Sequence, residues 1–464
     1  MKALKELLFV FLLITTVLCA HSTKEWRSRS IYQLLTDRFA TTDGSTEECL
    51  DLLDYCGGTF KGIENNLDYI QGMGFNAIWI SPIPENFPGS YHGYHATDWY
   101  EINLNFGTKD DLKSLISAMH KRDMWLMVDV VFNHVGPVDM DFSLIKPFDK
   151  EEYYNDKCEI QNWGDQDQIE NCRLFNLPDL NQDHPYVRQE LIKWVTYLMS
   201  EYDIDGLRLD TVPEIKKDFW KDFAEASNTF MLGEAFNGNI EYVSSYQDYV
   251  PGMINYPLNF AMKDVFMGGQ SMFKLRGCMR FEFEKFNDLT LLGVFTDNHD
   301  TPRFLGQHND IKSYQNALAF CFFTQGIPIL YYGSEQEFTG NTNILNREVL
   351  WTNMDTSSRL YKFIKTLNKV RNDNRVWNYP HLERSVADNF YSFTRGDVVI
   401  ALTNTHDTVE YSITSLPNSY QEGTVVCNVL VTSDCTTIKN GTLDVSLFDG
   451  EPKVYVKRMN LVSD

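Results

Sequence analysis

The chain has 464 residues, 43% of them hydrophobic and 14% aromatic, and carries 41 Lys plus Arg against 64 Asp plus Glu, a formal charge of −23. That length suits one large domain with one or two smaller ones, and the apolar content supplies a sizeable core. A surface this acidic repels phosphates, which argues against nucleic acid or an anionic membrane as partner and leaves a neutral or cationic substrate; the same charge also keeps a secreted protein in solution.

At the N-terminus, Lys2 and Lys5 precede an apolar run over residues 7–18 that ends at Cys19, Ala20 and His21. The run is short for a membrane span and reads as a cleaved signal peptide over residues 1–20, with Leu18 standing where a small residue is usual; an uncleaved anchor is the alternative. Of nine cysteines, Cys19 leaves with the signal. Cys49 and Cys56, Cys158 and Cys172, and Cys427 and Cys435 are spaced for three local disulfides in an oxidising compartment. Cys278 and Cys321 remain, Cys321 inside an apolar run and so a buried thiol, and no pair has metal-finger or CxxC spacing. Asn440-Gly441-Thr442 is an N-glycosylation sequon.

Short apolar runs at 31–35, 77–80, 125–131, 206–209, 230–232, 253–255, 291–295 and 327–331 predict strands, several of them apolar on both faces. Helical periodicity separates them, as at 110–122, 186–202, 311–323 and 359–371. This alternation predicts an α/β fold, a (β/α)8 TIM barrel, with a doubly wound open sheet as the alternative. No GxGxxG or P-loop opens a helix. The polar segment 134–183 interrupts the alternation and reads as a small inserted domain. Beyond about residue 377 the pattern turns to strands and turns, such as 390–394 and 398–403, and predicts a C-terminal antiparallel β-sandwich over 378–464. The barrel is then built from 21–133 and 184–377.

Functional groups of such a barrel gather where the strands end. Here those ends carry Asp129 and Asn133-His134, Arg208 and Asp210, Glu234, and Asp297-Asn298-His299-Asp300. One strand-end Asp alone would serve as a helix cap or a salt-bridge partner. Several carboxylates at one mouth, with an arginine and two histidines among them, point to glycosidic bond cleavage. There one ionised carboxylate attacks the anomeric carbon and a second, held protonated, gives its proton to the leaving oxygen. Arg208 lies two residues before Asp210, so strand alternation puts both on one side and keeps Asp210 ionised. Glu234 is then the acid/base candidate, and Asp300 a binder of sugar hydroxyls.

These residues sit within a longer pattern: IYQLLTDRFATTDGS at 31–45, CGGTFKGI at 56–63, SYHGYHATDWYEIN at 90–103, DVVFNH at 129–134, LPDLN at 177–181, GLRLDTV at 206–212, GEAF at 233–236 and FTDNHD at 295–300. In this order they resemble the α-amylase family of glycoside hydrolases, most of all its secreted fungal-type members. The resemblance implies retaining endo-hydrolysis of internal α-1,4 bonds in starch, glycogen and maltooligosaccharides by a monomer. It implies Asp210 as nucleophile, Glu234 as general acid/base and Asp300 as stabiliser of the transition state. His134 and His299 match binders of substrate hydroxyls, Tyr94 an aromatic platform and His92 its hydrogen-bonding neighbour; His95, Arg208, Gly238 and Arg347 fall at further substrate positions. A structural Ca2+ is implied as well, with Asn133 and Asp179 as side-chain ligands and Glu170 and Glu214 as positions that supply backbone carbonyls; simple loop capping is the other reading of Glu170 and Glu214.

The chain departs from the fungal pattern in three places. Pro213-Glu214 replaces Lys-His, which touches the sugar on the leaving-group side. His95 stands where a tryptophan is usual. Near 340–347 the loop has an extra residue, so Thr342 or Asn343 replaces a substrate-binding Asp. Two other readings are a relative that acts on cyclodextrins or transfers glucans, and a non-catalytic binding protein on the same barrel; Asp210, Glu234 and Asp300 together argue against the second.

Overall fold

A computed structural model describes residues 21–458; the expected signal peptide lies outside the described residues. At its centre are eight parallel strands, β1 (Ile31–Leu34), β2 (Ala77–Ile80), β3 (Trp125–Val130), β4 (Gly206–Leu209), β5 (Phe230–Gly233), β6 (Gly252–Met253), β7 (Gly293–Phe295) and β8 (Ile327–Tyr331). They pair in the order β6-β5-β4-β3-β2-β1-β8-β7. A parallel bridge between Ile254 and Gly293 brings β6 to β7, so the sheet curls into a nearly closed barrel rather than an open doubly wound sheet. Helices Lys109–His120, Pro185–Tyr202, Ile311–Phe323 and Arg359–Asp373 occupy the four periodic stretches, and Lys217–Ser227, Tyr256–Phe266 and Phe273–Lys285 add to the outer layer.

Strands β1 and β3 end one residue before their apolar runs, and β6 and β7 are shorter still. Residues 253–255 predict a strand, but the Asn255 side chain caps the next helix by accepting from Leu258 N at 3.0 Å, which turns the chain out of the sheet. Residues 291–295 begin in a 3-10 turn capped by Asp288, leaving three residues for β7.

Strand alternation divides the barrel residues into two sets. Tyr32, Ile78, Ile80, Leu126, Val128, Leu207 and Leu209 face outward into the core shared with the helices. Ile31, Ala77, Trp79, Trp125, Met127, Phe230, Leu232 and Ile329 face inward and make a separate, smaller core. Along this inward set the composition changes from apolar at the start of each strand to polar at its end: Gln33, Asp129, Arg208, Asp210 and Glu234 are all buried there. Trp26, on a 3-10 turn before β1, plugs the apolar end, with its ring 5.2 Å from Trp125 and 5.1 Å from Phe230.

After β3 the chain makes a long excursion with short 3-10 turns, the helix Gln166–Asn171 and the Cys158–Cys172 disulfide. It returns through a bridge between His134 and Asp179, and Trp99 N donates to Lys146 O to tie it to the hairpin of Pro84–Asn86 and Ala96–Ile102. The C-terminal part is a six-stranded antiparallel sheet facing a two-stranded one, Val409–Ile413 with Leu443–Leu447, over a core that includes Val399, Val426 and Tyr455. Arg395 joins it to the barrel by donating to Phe323 O at 3.1 Å and Tyr379 O at 2.7 Å. All three expected disulfides form; Cys278 and buried Cys321 stay free. Asn440 is exposed in the turn closed by Lys439 and Thr442.

Gly206 admits the Trp26 plug, since a Cβ there would lie 2.6 Å from the indole. Gly206→Ala therefore costs about 1–3 kcal/mol by overpacking. Urea unfolding should show the lower midpoint; an unchanged midpoint would mean that the indole has room to move.

Candidate active site

Arg208 at the end of β4 is fully buried and holds three carboxylates. Its Nη1 donates to Asp129 Oδ1 at 2.9 Å and Oδ2 at 3.0 Å, and to Asp210 Oδ1 at 2.7 Å; its Nη2 lies 2.7 Å from Glu234 Oε2. Register explains the set: Asp129 on β3 pairs with Arg208 on β4, and Asp210 and Glu234 follow at the next inward positions of β4 and β5. Asp129 also accepts from Trp79 Nε1 at 3.1 Å and Tyr94 OH at 2.7 Å.

The carboxyls are not equivalent. Burial raises Glu234 well above the usual carboxylate range, Arg208 opposes that rise, and Asp210 and Asp300 add to it. Tyr256 OH lies 3.2 Å from Glu234 Oε1, and Thr211 N 3.3 Å from Oε2, with Thr211 held at φ +49°. Burial likewise pushes Asp129 up to about 7 against the pull of Arg208.

A second group covers β1, β2 and β7. His299 Nδ1 accepts from Gln33 Nε2 at 2.8 Å, which leaves the proton on Nε2 to meet Tyr94 OH at 2.7 Å, while Tyr94 OH donates onward to Asp129. The Tyr94 and His299 rings stack at 5.3 Å, and His92 lies over Tyr94 at 5.8 Å. Burial holds His92, His134 and His299 neutral by lowering their pKa values. Asp300 lies 3.1 Å from His299 Nε2 and 3.5 Å from Arg347 Nη2, and burial raises it. Asp297 takes no part: it accepts from Thr296 and from Phe304 N, within the scaffold.

These groups line a cleft of about 610 Å³. Asp210, Glu234, Asp300, His92, Tyr94, His95, His134, His299 and Arg347 all border it. Arg208 lies beneath it. Gly238 is exposed and is not among the lining residues; a Cβ there would meet the Phe260 ring at 3.0 Å. Sequence reasoning missed Trp163, Phe175, Phe236 and Tyr242, which also line it. Phe236 ends the GEAF segment and Tyr242 lies on the short helix Ile240–Ser244; for Trp163 and Phe175 the signal was an aromatic residue in a polar segment, which does not say where the segment goes.

The catalytic-domain description "Alpha amylase, catalytic domain" matches residues 33–379, and "Alpha-amylase, domain C" matches 387–463. The chain belongs to the alpha-amylase family. Alpha-amylase 2 of Schwanniomyces occidentalis is 39% identical, over 93% of this chain and 90% of its own, and the alpha-amylase of Saccharomycopsis fibuligera 38%, over 93% and 92%. The solved alpha-amylase of Malbranchea cinnamomea superposes with a TM-score of 0.92 at 38% identity, covering 96% of this chain and 99% of that one. With both domains present at these identities, the activity is that of an alpha-amylase, and the substrate class a polysaccharide.

In this alpha-amylase the departures lie at the cleft. Pro213 and Glu214 line it in a 3-10 turn after Thr211, and Pro213 O accepts from Gln166 Nε2 at 2.9 Å. His95 is pinned by Ser90 Oγ at 2.8 Å and burial lowers it to about 4. Asn343 lines the cleft and its Oδ1 accepts from Arg347 Nη2 at 2.8 Å. Behind the cleft, the Asn133 side-chain oxygen faces two others, Asp179 Oδ1 at 3.0 Å and Glu214 O at 3.1 Å. Burial raises Asp179 and takes the Glu214 carboxyl up to about 8. The Glu170 carboxylate points elsewhere, accepting from Gln166 Nε2 at 2.8 Å. Among the described residues no cluster of three His, Cys, Asp or Glu side chains could hold a metal, so any cation here relies on the amide and carbonyl oxygens as well.

Removing the Arg208 charge leaves its carboxylates buried without a partner. Arg208→Met should cost about 3–5 kcal/mol of stability, measured by urea unfolding; a loss below about 1 kcal/mol would mean that the carboxylates are compensated from elsewhere.

Proposed function

We propose that the protein is a secreted, retaining, endo-acting alpha-amylase that cuts internal α-1,4 bonds of starch, glycogen and maltooligosaccharides. One observation carries this reading: a single guanidinium contacts both Asp210 and Glu234 at 2.7 Å, while burial raises the Glu234 pKa and so favours its acid form. Two carboxyls that share one guanidinium lie at one mouth, where both can reach a single glycosidic bond, as double displacement requires.

In the first step Asp210 attacks the anomeric carbon. Arg208 occupies Oδ1 and leaves Oδ2 for the bond. The proton of Glu234 passes to the glycosidic oxygen, and the reducing-end part of the glucan departs. Water then attacks the glycosyl ester, returns a proton to Glu234 and frees Asp210 with the anomeric configuration retained. Tyr94 supplies a flat face for the sugar ring, and neutral His92, His134 and His299 can each donate to or accept from its hydroxyls. Asp300, beside Arg347, binds hydroxyls of the distorted sugar.

Members of this family are typically calcium-dependent. The oxygen-only grouping of Asn133, Asp179 and the Glu214 carbonyl fits a hard cation, and the Glu170 carbonyl completes the set we assign to calcium. When bound, the ion supplies a clamp between the inserted segment and the strand ends; it takes no part in the bond cleavage. Cleavage of the signal over residues 1–20, a calcium-binding insert at 134–183 and N-glycosylation at Asn440 belong to the same reading, supported by the three disulfides. No helix among the described residues is long and apolar enough to cross a membrane.

Glu234→Gln should lower kcat on starch about 10²- to 10⁴-fold with the protein still folded. NMR of the first product should show the α-anomer, and a β-anomer would rule out retention. Because the acid form of Glu234 is required and its pKa is raised, wild-type kcat should fall as pH rises through that raised value, at a higher pH than an ordinary carboxyl would set. A profile that instead climbs on the alkaline side contradicts the assignment.

Chelation should lower the thermal midpoint, because a ligand at 100 times its Kd stabilises by about 2.7 kcal/mol. Added Ca2+ should restore it in wild type but not in Asp179→Ala. A midpoint indifferent to chelator and calcium alike would remove calcium from the reading.

A further inference from the structure

A second cavity, of about 310 Å³, lies on the seam between the barrel and the C-terminal sheet. One wall is the barrel helix Phe273–Lys285, and the other is the first strand of the C-terminal sheet, His381–Val386. Leu289, just before β7, and Thr324, just before β8, also border it, so the cavity lies towards the strand starts. Asp210, Glu234 and Asp300 stand beyond the strand ends, and no residue lines both this cavity and the catalytic cleft.

Two polar groups here are poorly matched by the chain. Glu282 lines the cavity and is 3% exposed. Burial pushes its carboxyl up to about 8, and only neutral side chains, Asn255 and Cys278, oppose the rise. Below that pH it stands as a neutral acid, with a proton to donate and an oxygen to accept. Arg276 and Arg280, on the same helix, turn instead to Glu383 of the facing strand: Arg276 Nε lies 3.1 Å and Arg280 Nη2 3.8 Å from Glu383 Oε1. The first of these contacts is off the N–H direction, so the buried Nε–H of Arg276 has no hydrogen-bond acceptor. A buried donor that the chain leaves unmatched is one that a ligand can satisfy.

The mixture of groups defines the ligand. An anion would meet the Arg276 N–H but also the Glu383 carboxylate. A cation would meet Glu282 but also two guanidinium groups. A neutral polyhydroxyl compound suits all of them, because each hydroxyl both donates and accepts. The apolar lining suits the C–H face of a sugar ring. Met279 and Leu289 supply part of it, and Phe283 supplies an open aromatic face, being 77% exposed and in no hydrophobic cluster among the described residues.

We propose that this seam is a second, non-catalytic binding site for an α-glucan chain, which holds the polymer while the cleft cuts it. That the bound chain is α-1,4-linked rests on the proposed function. A polymer held at two points of one molecule gains through effective concentration, and a short oligosaccharide does not. The site therefore acts on starch and leaves short substrates alone.

The Met279 methyl group reports on the cavity. Maltotriose is titrated into Glu234→Gln protein carrying 13C-methyl methionine, which cannot consume the sugar. The Met279 signal should shift and saturate. Adding Arg276→Leu or Glu282→Leu should weaken that response about tenfold or more, whereas Glu282→Gln, which still donates and accepts, should keep it. With Glu234 restored, Arg276→Leu should leave kcat/KM on maltotetraose and the thermal midpoint unchanged and lower kcat/KM on gelatinised starch roughly threefold to tenfold. A Met279 signal that ignores maltotriose, that answers to inorganic phosphate instead, or that responds equally in Arg276→Leu and Glu282→Leu overturns the site. Full activity of Arg276→Leu on starch overturns its role in holding the polymer. A wild type that leaves starch intact while Met279 responds to maltotriose overturns the proposed function and leaves the sugar site standing.

Discussion

Asp129, Asp210 and Glu234 share the charge of one guanidinium at the mouth of the barrel, and the rest of the site is arranged around that sharing. Three carboxyls cannot all ionise in a buried volume beside a single positive charge. The arrangement resolves this by giving each a different surrounding. Asp129 lies deepest, with an indole and a phenol as additional donors. Asp210 has one oxygen on Arg208, and burial raises Glu234 well above the usual carboxylate range, which favours its acid form. Unequal protonation of neighbouring carboxyls is what acid-assisted displacement requires, so the electrostatic constraint and the chemistry have the same solution.

Because Arg208 has no freedom, the elements that carry its partners cannot shift either. The Gln33–His299–Tyr94–Asp129 chain of hydrogen bonds links four strand ends to the guanidinium, and it sets the histidine tautomer on the way. On the opposite side, the inserted segment is fastened at Asn133 and Asp179 and closed by Cys158–Cys172. The carboxyls are thus placed by the barrel, where register controls position, while Trp163, Leu174 and Phe175 reach the cleft from the insert, where local pins do.

Much of the site was legible because it follows from period-two alternation. Arg208 and Asp210, two apart on one strand, had to share a face, and the GLRLDTV, GEAF and FTDNHD segments placed three carboxyls at three strand ends. The four-residue loop 173–176 was not legible. Nothing in Arg173-Leu174-Phe175-Asn176 shows that two successive residues take positive φ, or that Phe175 lines the cleft rather than a core. Strand ends at Asn255 and Leu291 were also misjudged, since side-chain capping by Asn255 and Asp288 overrode apolar runs that read as strand. Asp297 was grouped with the mouth but turns back to the scaffold.

By itself the sequence determined the barrel, its alternation of inward and outward residues, the three carboxyls and the cysteine pairs, because each of these depends on local periodicity or short spacing. Only the tertiary structure decided that Asp129 joins Arg208 as a third carboxyl, that burial raises the Glu234 pKa, and that Trp163, Phe175 and Phe236 line one cleft. These depend on strand register, burial and loop conformation, which bring together residues as far apart as 163 and 236, and no local pattern encodes such distances.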